Sequence, residues 1–314
     1  MTQILAITFP IYAAIAIGYL IVWRGWFKPA DLRVLGKYVM DIALPALIFH
    51  AVASRNLSEV IRPDYMLVFL VGGVLTLGLS FAWFSLTAAD RPRRAIAVMG
   101  STCPNSGFVG YPTMLLVFPD LAGVILALNM LVENVVLIPL CLMLMELAKD
   151  QPGLSPMRLI GKVLWGVLRR PMVIGLLLGL LVSLLQIPLP GPAARLFQML
   201  AASASALSLI VIGGSLVGLP MKGNWKMAVQ IALGKLILHP VLVALSAAAL
   251  MALGWVVLPA DLHVAVILSA AMPMFGIYTV LAQEQGLEGA ASIAMLMATS
   301  GAFVTLSVLL FLLV

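Results

Sequence analysis

Apolar runs of about 20 residues follow one another along the whole chain, separated by short turns. Each run has the length a helix needs to cross a hydrocarbon core of about 30 Å. A soluble fold is excluded by the same pattern, because it would need polar faces that these runs lack. Of 314 residues, 63% are hydrophobic and 10% charged, whereas soluble domains carry about 25% charged residues. Within lipid a backbone must satisfy its own hydrogen bonds, so the runs are predicted to be helices. The fold class is therefore an all-α membrane protein.

Ten spans are predicted, at 4–23, 35–53, 65–86, 94–117, 121–147, 163–185, 196–217, 225–253, 262–283 and 289–314. Turn residues such as Pro119-Asp120, Pro152-Gly153 and the Pro188 to Pro192 segment separate them. The first run lacks a basic leader and is long for a signal peptide, so it is expected to be retained as a span. Most of the 18 Lys and Arg residues fall in odd-numbered loops: Arg24 and Lys28 in the first, Arg91 to Arg94 in the third, Lys149 to Arg170 in the fifth, Lys222 and Lys226 in the seventh. Basic loops stay cytoplasmic, which puts both termini on the extracytoplasmic side. The net charge of +6 thus reports membrane orientation and not nucleic-acid binding. Localisation is expected to be an integral plasma membrane, the inner membrane of a bacterium.

The fifth loop is long, basic and near the chain midpoint. It divides the chain into 1–150 and 151–314, each with five spans. An odd number of spans per half forces the second half to insert upside down, giving an inverted repeat of the kind found in secondary transporters.

Two spans carry matched interruptions. The fourth contains Cys103-Pro104-Asn105-Ser106-Gly107, and the ninth contains Met272-Pro273-Met274-Phe275-Gly276. Proline inside a helix costs about 3 kcal/mol, and glycine about 1 kcal/mol more. Each break lies roughly 15 Å along its span, which is mid-bilayer from either face. The freed peptide groups are expected to meet at a common point and to face an anionic substrate, as discontinuous helices do in transporters.

The run Pro104-Asn105-Ser106-Gly107-Phe108-Val109-Gly110-Tyr111-Pro112 resembles the fourth-helix signature of the auxin efflux carrier family, which includes plant PIN carriers and bacterial malonate and malate permeases. Met40-Asp41-Ile42-Ala43-Leu44-Pro45-Ala46-Leu47-Ile48-Phe49 resembles the family's second helix, and Arg170-Pro171-Met172-Val173-Ile174-Gly175 the start of its sixth. The resemblance implies a fold like that of bile-acid symporters and sodium/proton antiporters, with broken helices 4 and 9 crossed. Helices 1, 2, 6 and 7 would form a scaffold, and helices 3–5 and 8–10 a transport core. It also implies that Asn105 contacts a substrate carboxylate. The ninth-helix counterpart is Met274, which would supply an apolar wall. Pro104, Asn105, Ser106, Gly107, Pro273, Met274 and Gly276 are the expected substrate-binding residues.

Charged groups within spans are expensive and usually face protein or water. Glu133 and Asn134 in the fifth span, with Lys235 and His239 in the eighth, are read as a coupling site or a core ion pair. Lys235 and His239, four apart, share one helix face. Cys103 and Cys141 read as small buried side chains. Two Gly-x-x-x-Gly pairs, Gly175/Gly179 and Gly214/Gly218, are read as helix contacts within one chain, and are compatible with a homodimer through the scaffold.

No His-Glu-x-x-His, Gly-x-Ser-x-Gly or P-loop motif occurs, so an enzyme is not expected, and neither a catalytic residue nor a metal site is assigned. No cofactor is expected beyond a coupling proton or sodium ion. The expected partners are a small organic anion and membrane lipid. The function read from the sequence is a secondary active transporter of a mono- or dicarboxylate, malonate-, malate- or auxin-like. A channel or ligand sensor on the same scaffold is the alternative.

Overall fold

The computed structural model of the protein describes residues 2–56, 60–148, 161, 165–220 and 222–313. Lys149, Arg158, Lys162, the Pro152-Gly153 turn and the boundary between the two halves lie outside the described residues. Among the described residues the regular elements are helices, joined by one isolated bridge between Pro104 and Met274. Among the described residues six helices have the length and composition to cross a membrane: Ala6–Trp23, Pro63–Thr87, Ala122–Leu147, Gly191–Ser215, Trp225–Ala252 and Glu288–Leu313. Shorter apolar helices occupy Ser106–Val117, Pro171–Leu184 and Ala260–Ala270. The fourth and ninth predicted spans are absent from the long set because both are interrupted. Helix Arg91–Thr102 stops just before Pro104, and Ala260–Ala270 just before Pro273.

Proline also shapes the helices that continue. Four π turns, at Val39–Ala43, Ser106–Gly110, Glu133–Leu137 and Gly234–Leu238, each lie one residue ahead of a Leu-Pro, Tyr-Pro, Ile-Pro or His-Pro step. The proline is Pro45, Pro112, Pro139 or Pro240. Its ring crowds the carbonyl four residues back and offers no N–H in return. Widening the coil by one residue relieves that clash and lets the helix run on. The wider hydrogen bonds are visible: Leu44 N–H donates to Val39, Ile138 to Glu133 and His239 to Gly234, each five residues back. Glu133, Asn134 and Lys235 all sit in these widened turns, which the sequence reading took as ordinary helix.

The chain forms two compact units. One comprises Met1–Arg62, Ser106–Leu131 and Leu168–Gly218; the other comprises Pro63–Asn105, Val132–Val167 and Leu219–Val314. Within the first unit, glycines set the helix spacing. A Cβ on Gly213 would lie 1.8 Å from the Ile15 carbonyl oxygen, and one on Gly18 would lie 2.1 Å from that of Ile210. These two reciprocal contacts bring Thr2–Trp23 and Gly191–Ser215 to backbone contact. Gly175 and Gly179 lie against Pro45 and Phe49, the in-chain helix contact the sequence implied. The Gly214/Gly218 pair is not a comparable seam. Its helix ends at Ser215, and Gly218 is a turn residue with φ 72° and open space around it.

In the second unit, Gly72 of Pro63–Thr87 packs on Val243, and Gly73 on Leu137. Gly234 packs on Ser101, bringing the eighth predicted span against the first half of the fourth.

Gly213→Ala should destabilise the protein by about 1–3 kcal/mol, as overpacking does. Gly78→Ala, which meets nothing within 4 Å, should not. Thermal unfolding of both variants in detergent checks the difference.

Candidate functional site

The site grows from the two breaks in the second unit. Helix Arg91–Thr102 starts on the Asp90 side chain, which accepts from the Arg93 N–H at 2.8 Å. It ends with Cys103 extended at φ −84°, ψ 111°. The Asn105 N–H then donates to the Pro273 carbonyl at 2.8 Å, and the Phe275 N–H to the Cys103 carbonyl at 3.3 Å. Pro104 faces Met274 between these two bonds, in a one-step antiparallel pair. That register suits proline, because the residue at the centre of such a pair uses neither its N–H nor its carbonyl in the ladder. Pro104 therefore interrupts its helix without leaving a donor missing from the bridge, and Pro273 contributes its carbonyl.

The bridge corrects part of the sequence reading. Two of the freed amides, those of Asn105 and Phe275, do not face a ligand; they satisfy carbonyls across the break. Unpaired peptide groups cost several kcal/mol in a hydrocarbon setting, which favours mutual pairing. The amides of Gly276 and Ile277 take no part in the bridge. Gly276 opens onto space: a Cβ there would meet nothing within 4 Å.

Lys235 is joined to the same break. It is fully buried, and its Nζ donates to the carbonyl of Ala270 at 2.8 Å. Ala270 is the last residue of Ala260–Ala270, where helix carbonyls lack intrahelical partners and carry partial negative charge. The Lys235 amine thus caps the truncated helix. Lys235 Nζ also bonds to Nδ1 of His239 one turn on, and the His239 ring stacks on Phe69 with 6.2 Å between centroids. The Tyr65 hydroxyl bonds to Ser269 Oγ at 3.1 Å and holds the same helix end from the other side. Glu133, 1% exposed, lies within electrostatic reach of Lys235. Cys103 and Cys141 are free buried thiols with their sulfurs 3.7 Å apart.

Pro104, Asn105, Pro273 and Met274 are thus brought together, with Lys235 and His239 attached through Ala270. Glu133 and Asn134 occupy the widened turn of Ala122–Leu147 in the same unit and are buried. Ser106 and Gly107 belong to the first unit, where Gly107 faces Leu44. Residues missed from the sequence are Tyr65, Ser269, Ser101, Thr102 and Tyr278. Ser101 Oγ, Thr102 Oγ1, Tyr278 OH and His239 Nε2 are buried with no hydrogen-bond partner among the described residues. For Ser101, Thr102 and Ser269 the available signal was a hydroxyl shortly ahead of a mid-span Cys-Pro or Met-Pro step; Tyr65 and Tyr278 carried none.

A membrane-embedded helical protein with paired, interrupted helices is the architecture of a transporter, and comparison with known proteins agrees. Residues 4–310 match the membrane transport protein family, and the chain belongs to that family. It is 27% identical to a putative malonate transporter of Rhizobium meliloti (strain 1021), over 99% of this chain and 96% of that one. It is 25% identical to the uncharacterized transporter YfdV of Escherichia coli (strain K12), over 74% of each chain. Auxin efflux carrier component 2 of Arabidopsis thaliana shares 25% identity over 46% of this chain and 23% of its own length. The protein is an integral membrane transporter of the auxin efflux carrier family.

Lys235→Met removes the donor from the Ala270 carbonyl and leaves it buried. The loss should be about 1–3 kcal/mol of stability, while Lys226→Met, an exposed lysine, should change the melting temperature little. Thermal melts of both variants decide this.

Proposed function

We propose that the protein is a secondary active transporter of a small organic anion, a mono- or dicarboxylate of malonate or malate type, working by alternating access. The observation that carries the reading is the bridged pair of breaks, with the Asn105 side chain, 3% exposed, at its edge. Asn105, Pro104, Pro273, Met274 and Gly276 form the substrate-binding group in this proposal, with Ser106 and Gly107 continuing the chain from Asn105. An amide side chain supplies carboxylate recognition, Met274 an apolar wall, and the leftover capacity of Ser101, Thr102 and Tyr278 further polar contacts. The likeness to a putative malonate transporter along nearly the whole chain supports the substrate class.

In this reading the chain carries ten spans in two inverted five-helix repeats, 1–150 and 151–314, with both termini extracytoplasmic. Spans 1, 2, 6 and 7 serve as scaffold and spans 3–5 and 8–10 as transport core. Lys235, His239, Glu133 and Asn134 form the coupling site. The Lys235 amine at the end of the broken ninth helix supplies a basic group in the core, which favours an anionic cargo, and the buried Glu133 supplies the acid that would take a proton or sodium ion as co-substrate.

Asn105→Ala should reduce uptake of radiolabelled malonate into proteoliposomes at least tenfold, since a hydrogen bond to a charged group is worth about 1.5–3 kcal/mol. The variant should be recovered in folded form at wild-type yield. Unchanged uptake by the variant would remove Asn105 from the site.

A further inference from the structure

In the second unit, between the start of Arg91–Thr102 and the end of Ile138–Leu147, lies a cavity of about 330 Å³ that transport of an anion does not require. Its walls include Phe81 of Pro63–Thr87, Arg91, Arg94 and Ala95 of Arg91–Thr102, and Leu144 and Leu147 of Ile138–Leu147. Arg91 and Arg94 occupy the first turn of their helix. Ala95 directly follows Arg94, Leu144 lies about a turn before Leu147, and Phe81 about 9 Å before the end of its helix. The cavity sets two guanidinium groups beside an apolar wall, the two chemistries that a phospholipid's phosphate and chain present.

The arginines are not equivalent. Arg93 pairs with Asp90. Arg94 lies 4.6 Å over the Phe81 ring and donates to Ser85 Oγ at 3.3 Å, which fixes it as part of the wall. Arg91 is exposed and has no hydrogen bond or ion pair among the described residues. Among the described residues no carboxylate lines the cavity. A guanidinium fork suits phosphate oxygens, and basic pockets between membrane helices take anionic headgroups.

We propose that this cavity is a binding site for an anionic phospholipid of the adjoining leaflet, its phosphate on Arg91 and Arg94 and its first acyl carbons against Phe81, Ala95 and Leu144. The inference does not depend on which anion the protein carries. Occupancy would tie the first half of the broken fourth span to the ends of its two neighbours.

The test uses the purified full chain in detergent, titrated with dioleoylphosphatidylglycerol, dioleoylphosphatidylcholine or inorganic phosphate, with bound species counted by native mass spectrometry. Wild-type protein should retain phosphatidylglycerol in preference to phosphatidylcholine and hold inorganic phosphate far more weakly. Arg91→Gln should weaken phosphatidylglycerol binding about fivefold, with the lipid-free melting temperature unchanged. Lys226→Gln, which removes an equal charge elsewhere, should leave binding intact. Equal retention of the two lipids, equal binding of inorganic phosphate, or equal losses in the two variants would overturn the proposal.

Discussion

A helix interrupted in hydrocarbon must find partners for the peptide groups it releases, and the second unit is organised around that demand. Proline breaks the fourth and ninth predicted spans, and each break answers the other. The Asn105 amide meets the Pro273 carbonyl at 2.8 Å, and the Phe275 amide meets that of Cys103 at 3.3 Å. The exchange removes the largest cost of unwinding a helix in lipid. It also fixes two segments distant in sequence at one point. What remains at the helix end is the Ala270 carbonyl, and a buried lysine takes it.

The same residue type acts in two ways here. Where proline is followed by a partner segment, the helix stops. Where no partner is present, as at Pro45, Pro139 and Pro240, the helix widens by one residue and continues. The widened turns carry Glu133, Asn134 and Lys235, so the buried ionisable groups lie where the backbone is already irregular. π turns are frequent at functional sites because they redirect side chains without ending the helix. In the proposed transport cycle that irregularity serves as the place where charge is handled.

Much of this was legible in the sequence. Apolar run length gave the class, and Pro104 and Pro273 at matched depth marked the breaks. Gly175 and Gly179 marked a real helix contact. Other features were hidden for identifiable reasons. The acceptor for Lys235 is a backbone carbonyl, which no side-chain pattern reveals. Gly18 and Gly213 act only as a reciprocal pair between distant helices, whereas Gly214/Gly218 matched a motif but ran past the helix end. The pairing of the freed amides could not be read because register between two non-helical segments depends on tertiary placement. The buried hydroxyls of Ser101 and Thr102 looked ordinary in an apolar helix, where such groups commonly bond back to their own helix.

The most direct test of the paired breaks is an experimental density map of the protein in lipid nanodiscs, with the backbone traced through 103–105 and 273–275. The account predicts that both helices are interrupted there and that the Asn105 amide lies about 2.8 Å from the Pro273 carbonyl. A continuous helix through either segment, or two interrupted segments too far apart to exchange hydrogen bonds, would contradict it.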